Sequence, residues 1–351
     1  MRATGRFAVF MMLATIWLCA AAAPSAAQQY TVTDLGTLPG NSVSKASALN
    51  DAGEAAGVSE TPTAAIATMF SGGKATSIST LGSSVSLANA INGSGEIAGW
   101  NSYDSSPDFD PQAFIYSNGS MKNINSPSLF PSGTEAYGIN DAGEVVGTGY
   151  LSPSNFHAFL YSGGRMKDIG PPGSFQASAV AINNPGQIIG SYYLTAGGGG
   201  EFLYSNGKIT TLPVPAGSDG VSAFAINDNG EIAGTIYFTS GVPPHAASYR
   251  NGVWTDLGAI TGAVASNALG INISGQIVGT AIFPSTYKPF RAGKHVPFIS
   301  TASGLVNLNT LIPSGTGFTL TDAVDINESG LILCDATNAS GNEHAVLLSP
   351  K

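Results

Sequence analysis

Ala179-Val180-Ala181-Ile182-Asn183-Asn184-Pro185-Gly186-Gln187-Ile188-Ile189-Gly190 is the stretch on which the reading of this chain turns. Alternating small and large residues give a period-2 strand, Asn183 to Gly186 give a tight turn, and a second strand follows. Close copies carry their turn asparagines at Asn50, Asn92, Asn140, Asn227, Asn272 and Asn327, at successive intervals of 42, 48, 43, 44, 45 and 55 residues. That period belongs to propeller blades. The inner-strand repeats lie near 46–57, 88–99, 136–147, 179–190, 223–234, 268–279 and 323–334.

Each copy restricts one face of its first strand to small residues. Ala46, Ala88, Ala136, Ala179, Ala223, Ala268 and Ala323 hold the same place, which suits a crowded axis where blades converge. Each turn ends in glycine, as at Gly186, where a positive φ is needed, and Pro185 before it suggests a type II register with proline second and glycine third. A third strand, seen at Ala113-Phe114-Ile115-Tyr116 and Phe202-Leu203-Tyr204, turns at Asn118-Gly119, Asn206-Gly207 or Asn251-Gly252 into a fourth. Four strands make a blade.

The chain ends complement one another. Thr33-Asp34-Leu35-Gly36 matches the fourth strands at Thr255-Asp256-Leu257-Gly258 and Lys167-Asp168-Ile169-Gly170, yet precedes the first inner strand, whereas the last copy stops after a third strand at 344–349. A strand from about Tyr30 to Leu38 is therefore expected beside 344–349, hiding two sheet edges. The expected architecture is all-β: a seven-bladed β-propeller of four-stranded antiparallel blades, closed by pairing of the N-terminal strand with the C-terminal blade.

Residues 1–27 read as a signal peptide, with Arg2 and Arg6 ahead of an apolar run and Ser25-Ala26-Ala27 before Gln28. A retained anchor is the competing reading, but the run is short and ends in alanines and Pro24, and Leu18 before Cys19 disfavours lipid attachment. The expected product is a secreted or periplasmic chain, 28–351, folded as one domain, a monomer with no membrane association once cleaved. Of the 22 acidic and 13 basic residues only Arg2 and Arg6 fall in the signal, so the mature charge is more negative than the −9 of the whole chain. No basic stripe is available for a phosphate backbone, which excludes nucleic acid as a partner. Cys334, the one cysteine left, stands where the other copies have glycine and reads as a small buried hydrophobe.

His157-Ala158-Phe159, followed by Leu160-Tyr161-Ser162-Gly163-Gly164 and Met166-Lys167-Asp168-Ile169-Gly170, resembles the bacterial extracellular repeats of the HAF family, over nearly the whole mature chain. Degenerate versions stand at Gln112-Ala113-Phe114, His245-Ala246-Ala247, His295-Val296-Pro297 and His344-Ala345-Val346; Ile66-Ala67-Thr68 and Gly200-Glu201-Phe202 depart. The resemblance implies an exported repeat protein with no defined activity, and supplies no catalytic residue.

All four histidines of the mature chain occupy one repeat position at the start of the third strand. A shared zinc needs nitrogens about 2 Å from the metal, whereas third strands of adjacent blades stand about 10 Å or more apart. An imidazole bonding backbone is the expected role, with no metal and no cofactor. Asp104, Asp108 and Asp110, interleaved with Tyr103 and Phe109, form an acidic loop that lacks EF-hand spacing. Asp325 replaces a small residue on an inner strand and is read as channel-facing or locally satisfied. Aromatics gather near the loops after the second strand, at Trp100, Tyr103, Phe109, Tyr192, Tyr193, Tyr237, Phe238, Phe283 and Tyr287, about half of them expected in the core.

Those loops share one face with the blade connections, and the short turns lie on the other. Variable loops on a fixed scaffold are where ligands bind, so Tyr103, Asp104, Asp108, Phe109, Asp110, Tyr193, Phe238, Tyr287 and Asp325 are the candidate ligand-binding set. The expected function is a non-enzymatic module that binds a carbohydrate, peptide or protein. The alternative is an extracellular polysaccharide hydrolase or lyase, which paired carboxylates in a loop-face cleft would favour. No catalytic residue is assigned.

Overall fold

A computed structural model describes residues 29–78, 83, 85–102, 110–239, 241–284 and 293–351. The expected signal segment and Tyr103, Asp104, Asp108, Phe109 and Tyr287 lie outside the described residues.

Among the described residues the repeat builds seven four-stranded antiparallel units, of which one and two, and three and four, are joined into eight-stranded sheets by single parallel bridges at Ala65 with Val85 and Phe156 with Gln176. Unit four runs Ser174–Ile182, Ile188–Leu194, Gly199–Ser205 and Lys208–Thr211, each strand hydrogen-bonded to the next. Units one, two, three, five and six begin at Val43, Val85, Thr134, Ser218 and Ala265 and repeat this order. In unit seven, Phe318–Ile326, Ile332–Asn338 and Glu343–Pro350 come from the end of the chain, and the fourth strand, Tyr30–Asp34, from its beginning. Tyr30 lies opposite Pro350 and Asp34 opposite Val346.

The glycine after each second-strand start has a steric reason. A Cβ on Gly190 would collide with the Ser178 carbonyl oxygen and the Phe202 ring, because the inner strand bulges between Ala179 and Ala181 and its backbone presses on the neighbour. Gly57, Gly99, Gly147, Gly234 and Gly279 meet the corresponding carbonyls. Cys334 takes this slot in unit seven, fully buried, and desolvation raises its thiol pKa well above the ordinary value, as expected for an inert hydrophobe.

The inner turn is tied by its asparagine. In unit four Gly186 N–H donates to the Asn183 carbonyl and Gln187 N–H to Asn183 Oδ1. Asn183 is thus the first turn residue and Gly186, at φ 78°, the fourth, one place later than the type II register inferred from Pro185. The outer hairpins keep their expected chemistry: Asn118, Asn206 and Asn251 have φ 51° and are each followed by a positive-φ glycine, the type I′ pattern.

The asparagines also bridge the units. Nδ2 of Asn50 donates to the carbonyl of Asn92, Asn92 to Asn140, Asn140 to Asn183, Asn183 to Asn227, Asn227 to Asn272 and Asn272 to Asn327. Asn327 donates to Asn50 at 3.1 Å, so the series returns to its first member. All seven asparagines are buried, and apolar clusters such as Ile189, Val221, Ala223, Ile232 and Trp254 fill the spaces between sheets.

Candidate functional site in the cleft between units four and five

Strand direction places the loop face. Each second strand runs away from the asparagine turn, so the ends of Ile188–Leu194 and Ile232–Phe238 and the start of Ser218–Ile226 all reach the opposite side. There a cleft of about 670 Å³ opens between units four and five, walled by Tyr192, Tyr193, Glu201, Asp219, Ser222 and Tyr237. Tyr193 is 58% and Tyr237 38% exposed, large values for aromatic residues. The Tyr192 hydroxyl is paired with Thr211 Oγ1 at 3.1 Å, and Ser222 Oγ donates to the Tyr237 hydroxyl at 3.4 Å, which orients both rings.

Glu201 owes its setting to two departures from the repeat. It stands where other units carry Ala67, Ala113, Ala158, Ala246 and Ala345, all fully buried. In four of those units the amide at this position donates to a hydroxyl of the next unit, Ser86, Thr134, Ser266 or Ser44; unit five offers Val221 instead. The carboxyl therefore sits against apolar wall at 9% exposure. Burial pushes it up to about 7, opposed only by the Ala223 amide.

Of the candidates read from sequence, Tyr193 lines this cleft. Phe238 does not: it is half-buried in the core of unit five with its ring edge-on to His245, centroids 5.1 Å apart. Asp110 is exposed, on another unit. Asp325 lies at the turn end of its strand, away from the loop face, where Leu49 N–H and Ile326 N–H both donate to its carboxylate at 2.8 Å. It is a satisfied structural acceptor, and burial pushes it up to about 6.

The histidines are paired with carboxylates, where backbone was expected. His157 Nδ1 meets Asp168 at 2.7 Å, His245 meets Asp256 at 3.1 Å, His344 meets Asp34 at 3.0 Å, and His295 meets Asp322 at 2.9 Å. Three of those aspartates also cap a glycine amide two residues on, at Gly36, Gly170 and Gly258. Among the described residues only His157 also reaches backbone, through Nε2 to the Ser174 carbonyl at 3.2 Å. Among the described residues no group of three or more metal-ligating side chains is assembled.

A cavity of about 700 Å³ on the turn face, between units five and six, is slightly larger. Among the described residues its charged side chains are Arg250 and Glu231, joined in an ion pair. Arg250 stands where units one and three place Ser71 and Ser162, whose hydroxyls bond Glu54 and Glu144 in the same way. The pair is thus a variant of a structural contact present elsewhere in the repeat, and the loop-face cleft is the stronger candidate.

No protein-family model and no curated protein matches the chain. Solved structures do. The β-propeller domain of the Trilobed protease from Pyrococcus furiosus, described as having an open velcro topology, superposes with a TM-score of 0.53 at 9% identity, over 89% of this chain and 95% of that one. A prolyl endopeptidase gives 0.53 at 9% identity over 92% of this chain and 50% of its own. A puromycin hydrolase gives 0.53 at 12% identity over 86% and 53%. The chain spans about half the length of the last two. At such identities the likeness concerns fold alone, and the fold is that of a β-propeller.

Proposed function

We propose that the seven units are the blades of one closed propeller, exported and built from HAF-type repeats, which acts as a non-enzymatic binding module with a carbohydrate ligand on its loop face. The strand Tyr30–Asp34 beside Glu343–Pro350 and the asparagine series returning to Asn50 support closure. The tyrosine-walled cleft of about 670 Å³ carries the functional part. Exposed aromatic rings offer flat apolar faces with a polar tip, the surface on which sugar rings stack, and they hold it at little entropic cost. Among the described residues no helix is long and apolar enough to cross a membrane.

A second reading, hydrolysis of an extracellular polysaccharide, is favoured by Glu201 and Asp219 in the same cleft. An acid held near pH 7 is the form in which a carboxyl donates a proton to a leaving group. One experiment separates the two: a polysaccharide binding screen on the secreted chain with detection of reducing ends. The binding reading predicts retention without product, weakened at least tenfold by Tyr193→Ala or Tyr237→Ala. Release of product lost in Glu201→Gln establishes the hydrolase instead. Retention unchanged in both tyrosine variants places the site elsewhere.

A further inference from the structure

The wall of the loop-face cleft says more about its ligand. Among the described residues its charged side chains are Glu201 and Asp219, and no lysine, arginine or histidine lines it. Asp219 is at the exposed rim, while Glu201 is 9% exposed and has no side-chain partner among the described residues. Around them stand three phenol rings, Tyr192, Tyr193 and Tyr237, whose faces carry the negative lobe of the aromatic quadrupole. A neutral sugar satisfies the rings but leaves the buried carboxyl with the Ala223 amide and no charged partner. A uronic acid or sulfated sugar brings a charge of the wrong sign. A protonated amine answers both parts, because it is drawn to aromatic faces and pairs with a carboxylate.

We infer that the cleft between units four and five binds amino sugars in their protonated form, with the ammonium group seated between the Glu201 carboxylate and the tyrosine rings. The inference rests on the carbohydrate reading of the loop face and names its ligand class. Asp219 adds attraction at the entrance, and Ser191 and Ser222 are placed to bond sugar hydroxyls. The carboxyl, held up to about 7 by burial, is mostly protonated at pH 6 in the empty cleft, so an arriving ammonium displaces its proton to solvent.

The test is calorimetry at pH 6, in two buffers of different ionisation enthalpy, with a glucosamine tetramer, its fully N-acetylated counterpart and tetralysine. The glucosamine tetramer is expected to bind at least tenfold tighter than the acetylated one, roughly the worth of one desolvated cation contact, and to release close to one proton. Glu201→Gln is expected to abolish both the tenfold preference and the proton release. Tyr193→Ala, at a position too exposed to endanger folding, is expected to weaken the glucosamine tetramer about tenfold. Equal binding of the two tetramers overturns the ammonium assignment and leaves the carbohydrate reading standing. Tetralysine binding as tightly, in a Glu201-dependent way, overturns the sugar assignment. Binding of neither tetramer overturns the inference; if the polysaccharide screen is also negative, the loop-face reading falls with it.

Discussion

Asp335→Asn should stabilise this protein by an amount that grows from nothing near pH 4 to its full value above about pH 7. Asp335 lies in the second strand of unit seven at 9% exposure and accepts the Ala46 N–H of unit one at 2.8 Å. Burial pushes the carboxyl up to about 7 from 3.8; the Ala46 amide opposes it, while Glu343 and Asp322 nearby add repulsion that Lys45 only partly offsets. The direction of the linkage follows. Between those values the folded state holds a proton that the unfolded state has released, so folding stability falls as pH rises through the window and the loss is complete above about pH 7. About three pKa units at 1.36 kcal/mol each gives an upper limit of about 4 kcal/mol. Asparagine keeps an oxygen acceptor for Ala46 N–H and never ionises. The variant should match the parent near pH 4 and exceed it at pH 8.5, by roughly 8 °C in melting temperature if 1 kcal/mol is worth about 2 °C in a chain of this size. Thermal unfolding at pH 4, 5.5, 7 and 8.5 reads the gap. A gap that is constant across pH, or a variant less stable than the parent at pH 8.5, refutes the reasoning.

Three further outcomes can be checked on the same protein. Asn327→Ala removes a donor to the Asn50 carbonyl, which keeps the Gly53 N–H, and the acceptor of both Ser329 N–H and Leu331 N–H, and should lower stability by about 3 kcal/mol in denaturant titration. Gly190→Ala drives a methyl into the Ser178 carbonyl and should lose about 3 kcal/mol, whereas Gly207→Ala, with open space around it, should lose only the smaller penalty of its φ of 78°. His344→Ala breaks a partly exposed pair with Asp34, worth about 0.5 to 1 kcal/mol, and should speed amide exchange of residues 30–34 without changing exchange in unit three.

Much of this architecture is written in short-range pattern. The glycine slot is legible because a bulged inner strand leaves no room at Gly190 for a Cβ, and the same geometry recurs in every copy that has glycine there. The histidine partners were equally available and were missed. His157 with Asp168, His245 with Asp256 and His344 with Asp34 pair a third-strand start with the Thr-Asp-Leu-Gly type of fourth strand. Where the third strand starts with Gln112 the fourth carries Asn123, and the two side chains bond each other; where it starts with Gly200 the fourth offers Thr211. Unit six has Asn307 at that place, and His295 turns to Asp322 of the next unit. The cleft was half legible. Its aromatics follow from the second-strand ends, but the burial of Glu201 depends on Val221 replacing a hydroxyl in the neighbouring unit, a relation between residues twenty apart that periodicity alone does not expose.

Among the described residues burial pushes three carboxyls, Glu201, Asp325 and Asp335, up to between about 6 and about 7, and they divide by what lies in front of them. Asp325 and Asp335 both reach across the junction of unit seven with unit one, where Leu49 N–H and Ala46 N–H donate to them at 2.8 Å. The same junction is stitched by Ser44 Oγ to Ala345 N–H, by Lys45 to Glu343 and by Asp51 to Glu328 N–H. Their unfavourable desolvation is offset locally, by bonds that fix how the last unit meets the first. Glu201 faces an amide too, that of Ala223, but it also forms the wall of an open, tyrosine-lined cleft. A buried acid that only joined two units would need no such space. Removing the charge should therefore have opposite signatures: Asp325→Asn and Asp335→Asn change stability with pH and leave amino-sugar affinity untouched, while Glu201→Gln changes both. If the two aspartate variants lose binding as well, the cleft is coupled to the junction and the separation of structural from ligand-facing acids drawn here fails.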